Sequence, residues 1–87
     1  MVKKASKLRT ITPESSVGFA IRVLREAQDI SQEELGFRAD LHRTFVSDIE
    51  RGRRNPTVRT LWKLANALQI MPSKIVMEAE KHFFSKK

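Results

Sequence analysis

The sequence predicts an all-α protein, a compact bundle of five short helices. Three observations predict it. Apolar residues recur at three- and four-residue intervals in five separate segments. Most of those segments open on helix-starting residues: Thr12-Pro13, Ser31, Thr57 and Pro72. No segment alternates convincingly as a strand. With 87 residues and an apolar fraction of 40%, the chain is one small domain with an adequate core.

Residues 1–11 carry Lys3, Lys4, Lys7 and Arg9, with no acid and no sustained period, and read as a flexible basic arm. The domain is expected over 12–84, with a basic tail at 85–87. Thr12-Pro13-Glu14 starts the first helix: a hydroxyl cap, a proline in the first turn, then an acid at the positive end of the dipole. Val17, Ala20, Ile21 and Leu24 form its stripe to about Gln28, with Arg22 and Arg25 beside it.

Ser31-Gln32-Glu33-Glu34 matches a capping box, in which Ser31 accepts from the Glu34 amide and Glu34 reaches back to Ser31. Leu35 and Ala39 face inward, and the second helix ends near Ala39. Asp40 stands at a turn that favours a left-handed residue, which Asp tolerates at some cost. The third helix spans about Arg43 to Arg51, with His42, Phe45, Val46 and Ile49 as its inward stripe and Gly52 as its stop. Arg53-Arg54-Asn55-Pro56 is a basic loop. Thr57 caps the fourth helix, whose stripe is Val58, Leu61, Leu64, Ala65 and Leu68. Pro72 opens the fifth, which carries Ile75, Val76, Ala79 and Phe83 on one face. Trp62 stands one position off the fourth stripe, where a half-buried packing role is expected.

Lysine and arginine number 17 against 10 acids, a net charge of +7. Such a chain attracts polyanions, nucleic acid first and an anionic membrane surface second. The charge is uneven: besides the arm, Arg51, Arg53, Arg54 and Arg59 cluster after the third helix, and Lys81, Lys86 and Lys87 lie near the end. There are no cysteines, hence no disulfide, thiolate metal site or thiol nucleophile, which fits a cytoplasmic protein. No apolar run reaches the ~18–20 residues of a membrane span. The basic residues flank a packed motif rather than lining one long amphipathic helix, so membrane binding is not expected.

His42 and His82 lack companions at ligand spacing, so no metal is expected. Glu33 and Glu34 diverge as helical neighbours, and capping explains Glu34 better than acid–base chemistry. No nucleophile–base pair or phosphate loop is visible. The expectation is a non-enzyme without cofactor or small-molecule effector.

The stretch Ser31 to Gly52 carries the chemistry. It reads as two short helices joined by a tight turn, the second with an apolar side opposite a polar one. Positions 43, 44, 47, 48 and 51 share that polar face. A helix so equipped suits the major groove of DNA. Arg43 can bond guanine O6 and N7 through both arms of its fork. Thr44 can meet a thymine methyl, and Ser47 a base or a phosphate. Asp48 is the odd member: it can accept from cytosine N4, or orient Arg43 or Arg51. The helix starts near Gln32 and His42 present amides suited to phosphate oxygens.

These residues resemble the helix-turn-helix of the Cro/phage-repressor type, the XRE family, and most closely the small controller regulators of restriction–modification systems. The likeness spans Val17 to Leu68. It rests on the joint spacing of Gln32, Leu35, Gly36, Ala39, Leu41, Val46, Ile49, Glu50 and Gly52, followed by RRNP. It implies a lambda-repressor-like DNA-binding fold in a bacterial or phage protein. By resemblance, Arg43, Thr44, Ser47 and Asp48 would face bases, while Gln32, His42, Arg51, Arg53 and Arg54 would contact phosphates. Arg25 and Glu50 would form a partly buried structural salt bridge. His42 stands where the family has a Ser, Thr or Asp cap, so this cap should be weaker unless the imidazole serves a phosphate instead.

The fifth helix is more apolar than so small a monomer requires, which marks an interface. Ile75, Val76, Ala79 and Phe83 are the expected dimer contacts. The expected function is a sequence-specific transcriptional regulator, repressor or activator, that binds palindromic operator DNA as a homodimer. The alternative is an antitoxin-type or other protein-interaction module, with Trp62 and the fifth helix binding the partner.

Overall fold

The computed structural model describes residues 11–85; the arm expected at 1–11 falls almost wholly outside these residues, as do Lys86 and Lys87 of the tail. Five helices form among the described residues: α1 Pro13–Ala27, α2 Gln32–Ala39, α3 Arg43–Glu50, α4 Val58–Leu68 and α5 Pro72–Phe83. The fold is the all-α bundle the periodicity predicts.

Four of the five starts are held by a side chain accepting from the first turn: Thr12 from the Ser15 amide, Ser31 from Glu34, His42 from Thr44 and Thr57 from Thr60. A full capping box forms at Thr12, where Ser15 Oγ accepts from the Thr12 amide at 2.9 Å. At Ser31 only half of the expected box exists. The Glu34 carboxylate turns instead to Arg38 Nε, 2.8 Å away on the same helix face, because a charged partner one turn on outcompetes a neutral amide.

α1 to α4 end on one repeated device. A residue turns left-handed, and the amide after it reaches back five residues to a helix carbonyl. Asp29, Asp40, Gly52 and Gln69 are those residues, at φ 57, 59, 76 and 58. The returning amides are Ile30 to Arg25, Leu41 to Gly36, Arg53 to Asp48 and Ile70 to Ala65. Ile30, Leu41 and Ile70 then tuck against the core. After α3 the equivalent residue is Arg53, which stays in solvent. Three turns thus fold the chain inward and the fourth sends a basic loop outward. Gly52 is required there twice over: its φ is left-handed, and a Cβ would stand 2.9 Å from Ser15 Cβ on α1.

The core comprises Ile21, Leu35, Val46, Ile49, Leu64, Leu68 and Ile75 with smaller residues between them. Each large aliphatic side chain so buried contributes about 1.5–3 kcal/mol of transfer free energy. α1 is the spine: α5 and α3 pack on it, α2 packs on α3 and α4, and α4 meets α5. Gly18 lets α1 approach α3, since a Cβ there would run into the Ile49 carbonyl oxygen. Gln28 on the end of α1 donates to the Leu68 carbonyl at 2.7 Å, tying the end of α1 to the end of α4.

Several expected faces are corrected. His42 is exposed, because it is the cap of α3 and precedes the helix rather than sharing its apolar stripe. Val58 stands 68% exposed and Trp62 58%, one turn apart on the outer side of α4; the buried stripe instead runs Leu64, Ala65, Ala67 and Leu68. Ile75 and Ala79 are buried within the protomer against α1 and α4, so they are core residues and not contacts available to a second copy. Val76 and Phe83, expected beside them, remain exposed.

Candidate nucleic-acid interface

α3 is amphipathic in a strict sense. Val46 and Ile49 are fully buried, while Arg43, Thr44 and Arg51 are exposed and Ser47 and Asp48 half-buried on the opposite side. The five polar residues expected to share a face do so.

The inner side of α3 is anchored through its last residue. Glu50 accepts from Arg25 Nε at 2.7 Å and from Arg25 Nη2 at 3.0 Å. Gln32 Nε2 donates to the same carboxylate at 2.9 Å, and Arg25 Nη1 donates to the Ile30 carbonyl at 2.8 Å. The Glu50 side chain is only 3% exposed. Hydrogen bonding to Glu50 raises the Arg25 pKa above its ordinary value, against burial, which lowers it. α1, α2 and α3 therefore meet at one charged node, and every arm of that node has a partner. The family resemblance sets Gln32 against a phosphate; here its side-chain nitrogen is committed to Glu50.

His42 caps α3 through Nδ1, which accepts from the Thr44 amide at 3.1 Å. Nδ1 must therefore be unprotonated, so the neutral ring carries its hydrogen on Nε2. One imidazole thus holds the helix start and keeps a donor in reserve.

The loop residues behave differently from one another. Arg54 Nε lies 3.7 Å from Asp48 Oδ2, and its guanidinium carbon sits 5.0 Å over the centre of the Phe45 ring. Asp48 is thus paired with an arginine beyond the helix, not with Arg43 or Arg51. The contact spans a turn, so no helical spacing in the sequence points to it; the only signal is the Gly52 stop that folds the loop back. Among the described residues, ion pairs engage Arg22, Arg25, Arg38, Arg54, Lys74 and Lys81, and none engages Arg43, Arg51, Arg53 or Arg59. Of the two acids within that stretch, Glu50 is consumed by Arg25 and Asp48 by Arg54. The result is a surface of uncompensated positive charge along the polar face of α3 and the loop behind it.

Elsewhere the described residues offer no rival site of comparable chemistry. They contain no group of three or more histidine, cysteine, aspartate or glutamate residues able to hold a metal ion, and no helix long and apolar enough to cross a membrane. His82 accepts or donates at Ser16 Oγ, 3.0 Å away, and stacks on Phe19, which joins α5 to α1.

A helix-turn-helix family model matches residues 21–75. The chain is 42% identical over 60 residues to the control protein C.BamHI of Bacillus amyloliquefaciens, covering 68% of this chain and 74% of that protein. It is 41% identical over 63 residues to the immunity repressor protein of Bacillus phage phi105, a stretch of 72% of this chain and 44% of that protein's length. Among solved structures, the restriction-modification controller protein C.AhdI from Aeromonas hydrophila superposes with a TM-score of 0.69 at 41% identity, covering 70% of this chain and 92% of that chain.

Proposed function

The chain belongs to the XRE-type helix-turn-helix family, and on that premise we propose that it is a transcriptional regulator that reads operator DNA by laying α3 in the major groove. The observation that carries this reading is the unpaired charge along α3 and the loop after it: Arg43, Arg51 and Arg53 make no ion pair, and the two acids between residues 43 and 59 are each held by another arginine. Arg43, Thr44 and Ser47 project from the groove-facing side of α3 and are the base readers. Arg51, Arg53 and Arg54, with the Nε2 hydrogen of His42 and the amide end of α2 at Gln32, grip the phosphates.

The reading includes a homodimer on a palindromic operator. α5 packs on α1 and α4, whereas α3 packs on α1 and α2. A partner seated on α5 therefore leaves α3 uncovered. The outer side of α5 keeps Val76, Met77, Phe83 and Phe84 exposed. Pro13, Val17, Val76, Phe83 and Phe84 line an apolar groove of about 270 Å³ between α1 and α5. A two-fold pair would set its recognition helices about 34 Å apart, one turn of DNA.

In vitro selection from a random duplex pool, followed by sequencing, tests both parts. Enrichment of two inverted half-sites at one-turn spacing is the expected result. A single unpaired half-site would remove the dimer from the reading, and no enrichment would remove DNA binding. A second reading, a module whose main partner is another protein, draws on the exposed pair Val58 and Trp62. It predicts a chain that stays monomeric in light scattering and enriches no duplex.

A further inference from the structure

We propose that Asp48 and Phe45 are positioning residues for Arg54, seating its guanidinium against α3 as a ready-made backbone clamp, and that Asp48 itself reads no base. The inference rests on the DNA-binding reading above and assigns a role within it.

Two contacts restrain Arg54. The Asp48 carboxylate lies 3.7 Å from Nε as an ion pair, and the guanidinium carbon lies 5.0 Å over the centre of the Phe45 ring. Arginine suits such a seat because its planar group stacks through its face while its donors project in the plane. The backbone sets the approach. Gly52 turns left-handed, the Arg53 amide donates to the Asp48 carbonyl at 2.8 Å, and the next residue is carried back over the helix. The Arg54 side chain remains 54% exposed and the Asp48 side chain 27%, so the outer donors of Arg54 still face solvent while the carboxylate is largely covered.

Charge explains why the pair belongs together. Asp48 shares a face with Arg43, Thr44 and Ser47, where a free carboxylate would repel phosphates. Paired with Arg54 its charge is offset. Asp48 faces Arg54 through Oδ2, so the charge it could offer a cytosine, Arg43 or Arg51 is already partly offset. The pair is a surface one, so its value lies in preorganisation at the interface rather than in stability of the fold.

A double-mutant cycle on the full chain tests this, using the duplex most enriched from a random pool by the unaltered protein. Asp48→Asn, Arg54→Ala and their combination are compared by dissociation constant. In the Arg54→Ala background, Asp48→Asn is expected to tighten binding, since it only removes a like charge. With Arg54 present that gain should vanish, a coupling of about five-fold, of the size found for contacting residues. Phe45→Leu, which keeps an apolar side chain, should couple to Arg54→Ala in the same way, and Arg54→Lys, which keeps the charge but not the planar group, should retain the coupling to Asp48 and weaken that to Phe45. Equal effects of Asp48→Asn in both backgrounds would overturn the proposal. So would a change in preferred base at one operator position.

A second measurement needs no DNA. In the free chain the Arg54 Nε–H resonance should be displaced by the ring current of Phe45, and should move towards that of an exposed arginine in Asp48→Asn. An unchanged resonance would remove the seat. If the unaltered chain enriches no duplex, the DNA-binding reading fails and this clamp role fails with it, while the resonance separately decides whether Arg54 is seated.

Discussion

Arg25 and Glu50 face each other through two hydrogen bonds, at 2.7 and 3.0 Å, across 25 residues of sequence. The pair fastens the end of α3 to α1 at the one point where α2 also reaches in through Gln32. It is the joint at which α1, α2 and α3 meet. With Gly18 allowing α1 to lie against the Ile49 carbonyl, it holds α3 from inside while its outer face stays open.

Glu50→Gln keeps the shape and removes the charge, leaving the Arg25 guanidinium buried without its counter-ion. A loss of about 3–5 kcal/mol is expected, a large share of a small domain's total stability. Arg25→Met combined with Glu50→Leu should cost less than either single change. Urea unfolding measures both. A loss below about 1 kcal/mol for Glu50→Gln, the scale of an exposed pair, would mean the node is solvated in solution.

Gln69 ends α4 in a left-handed conformation at φ 58, with an exposed side chain. A non-glycine residue there carries about 1–2 kcal/mol of strain, against which glycine loses about 0.5–1 kcal/mol of unfolded-state freedom. Gln69→Gly should therefore stabilise the domain slightly and raise its melting temperature by a few degrees. Gln69→Ala, which keeps a Cβ, should not. Equal melting temperatures for Gly and Ala would show that the turn relaxes out of this conformation.

Arg43 and Arg51 are both exposed, unpaired and at opposite ends of α3, and they should fail differently. Arg43→Ala should cost about 1–3 kcal/mol on the selected duplex and flatten preference at one base position. Arg51→Ala should weaken all duplexes alike and lower the slope of log affinity against log salt by about 0.9. Titrations at several salt concentrations on cognate and single-substituted duplexes separate the two. Uniform weakening by Arg43→Ala would take that residue out of the base-reading set.

Val76 lies on the exposed side of α5 in the groove shared with Pro13 and Phe83. Val76→Glu places a charge there without entering the core. Light scattering should report a monomer, and DNA affinity should fall because one half-site is held at a time. Trp62→Ala, on the outer side of α4, should leave the dimer intact. The reverse pattern would move the interface to α4.

Much of this molecule is legible in its amino-acid sequence. Four of the five helix starts, the left-handed turn at Asp40, the stop at Gly52 and the polar side of α3 follow from local rules about caps, backbone sterics and a 3.6-residue period. Those rules act within a few residues, so a sequence displays them directly. Expectation and fold part where two local options compete. The Glu34 carboxylate has an amide and an arginine within reach, and His42 can serve as a cap or as part of a stripe.

What the sequence by itself determined is therefore the helical framework, its net charge and the residues presented on α3. Tertiary structure alone decided which apolar residues are spent within the protomer. Ile75 and Ala79 vanish into the core while Val76, Val58 and Trp62 stay outside, because burial depends on the angle at which α4 and α5 meet α1, and periodicity does not encode that angle. It also decided which charges remain free. Glu50 and Asp48 each neutralise one arginine that is distant in sequence or across a turn, and only after that pairing does the unopposed charge of Arg43, Arg51 and Arg53 stand out.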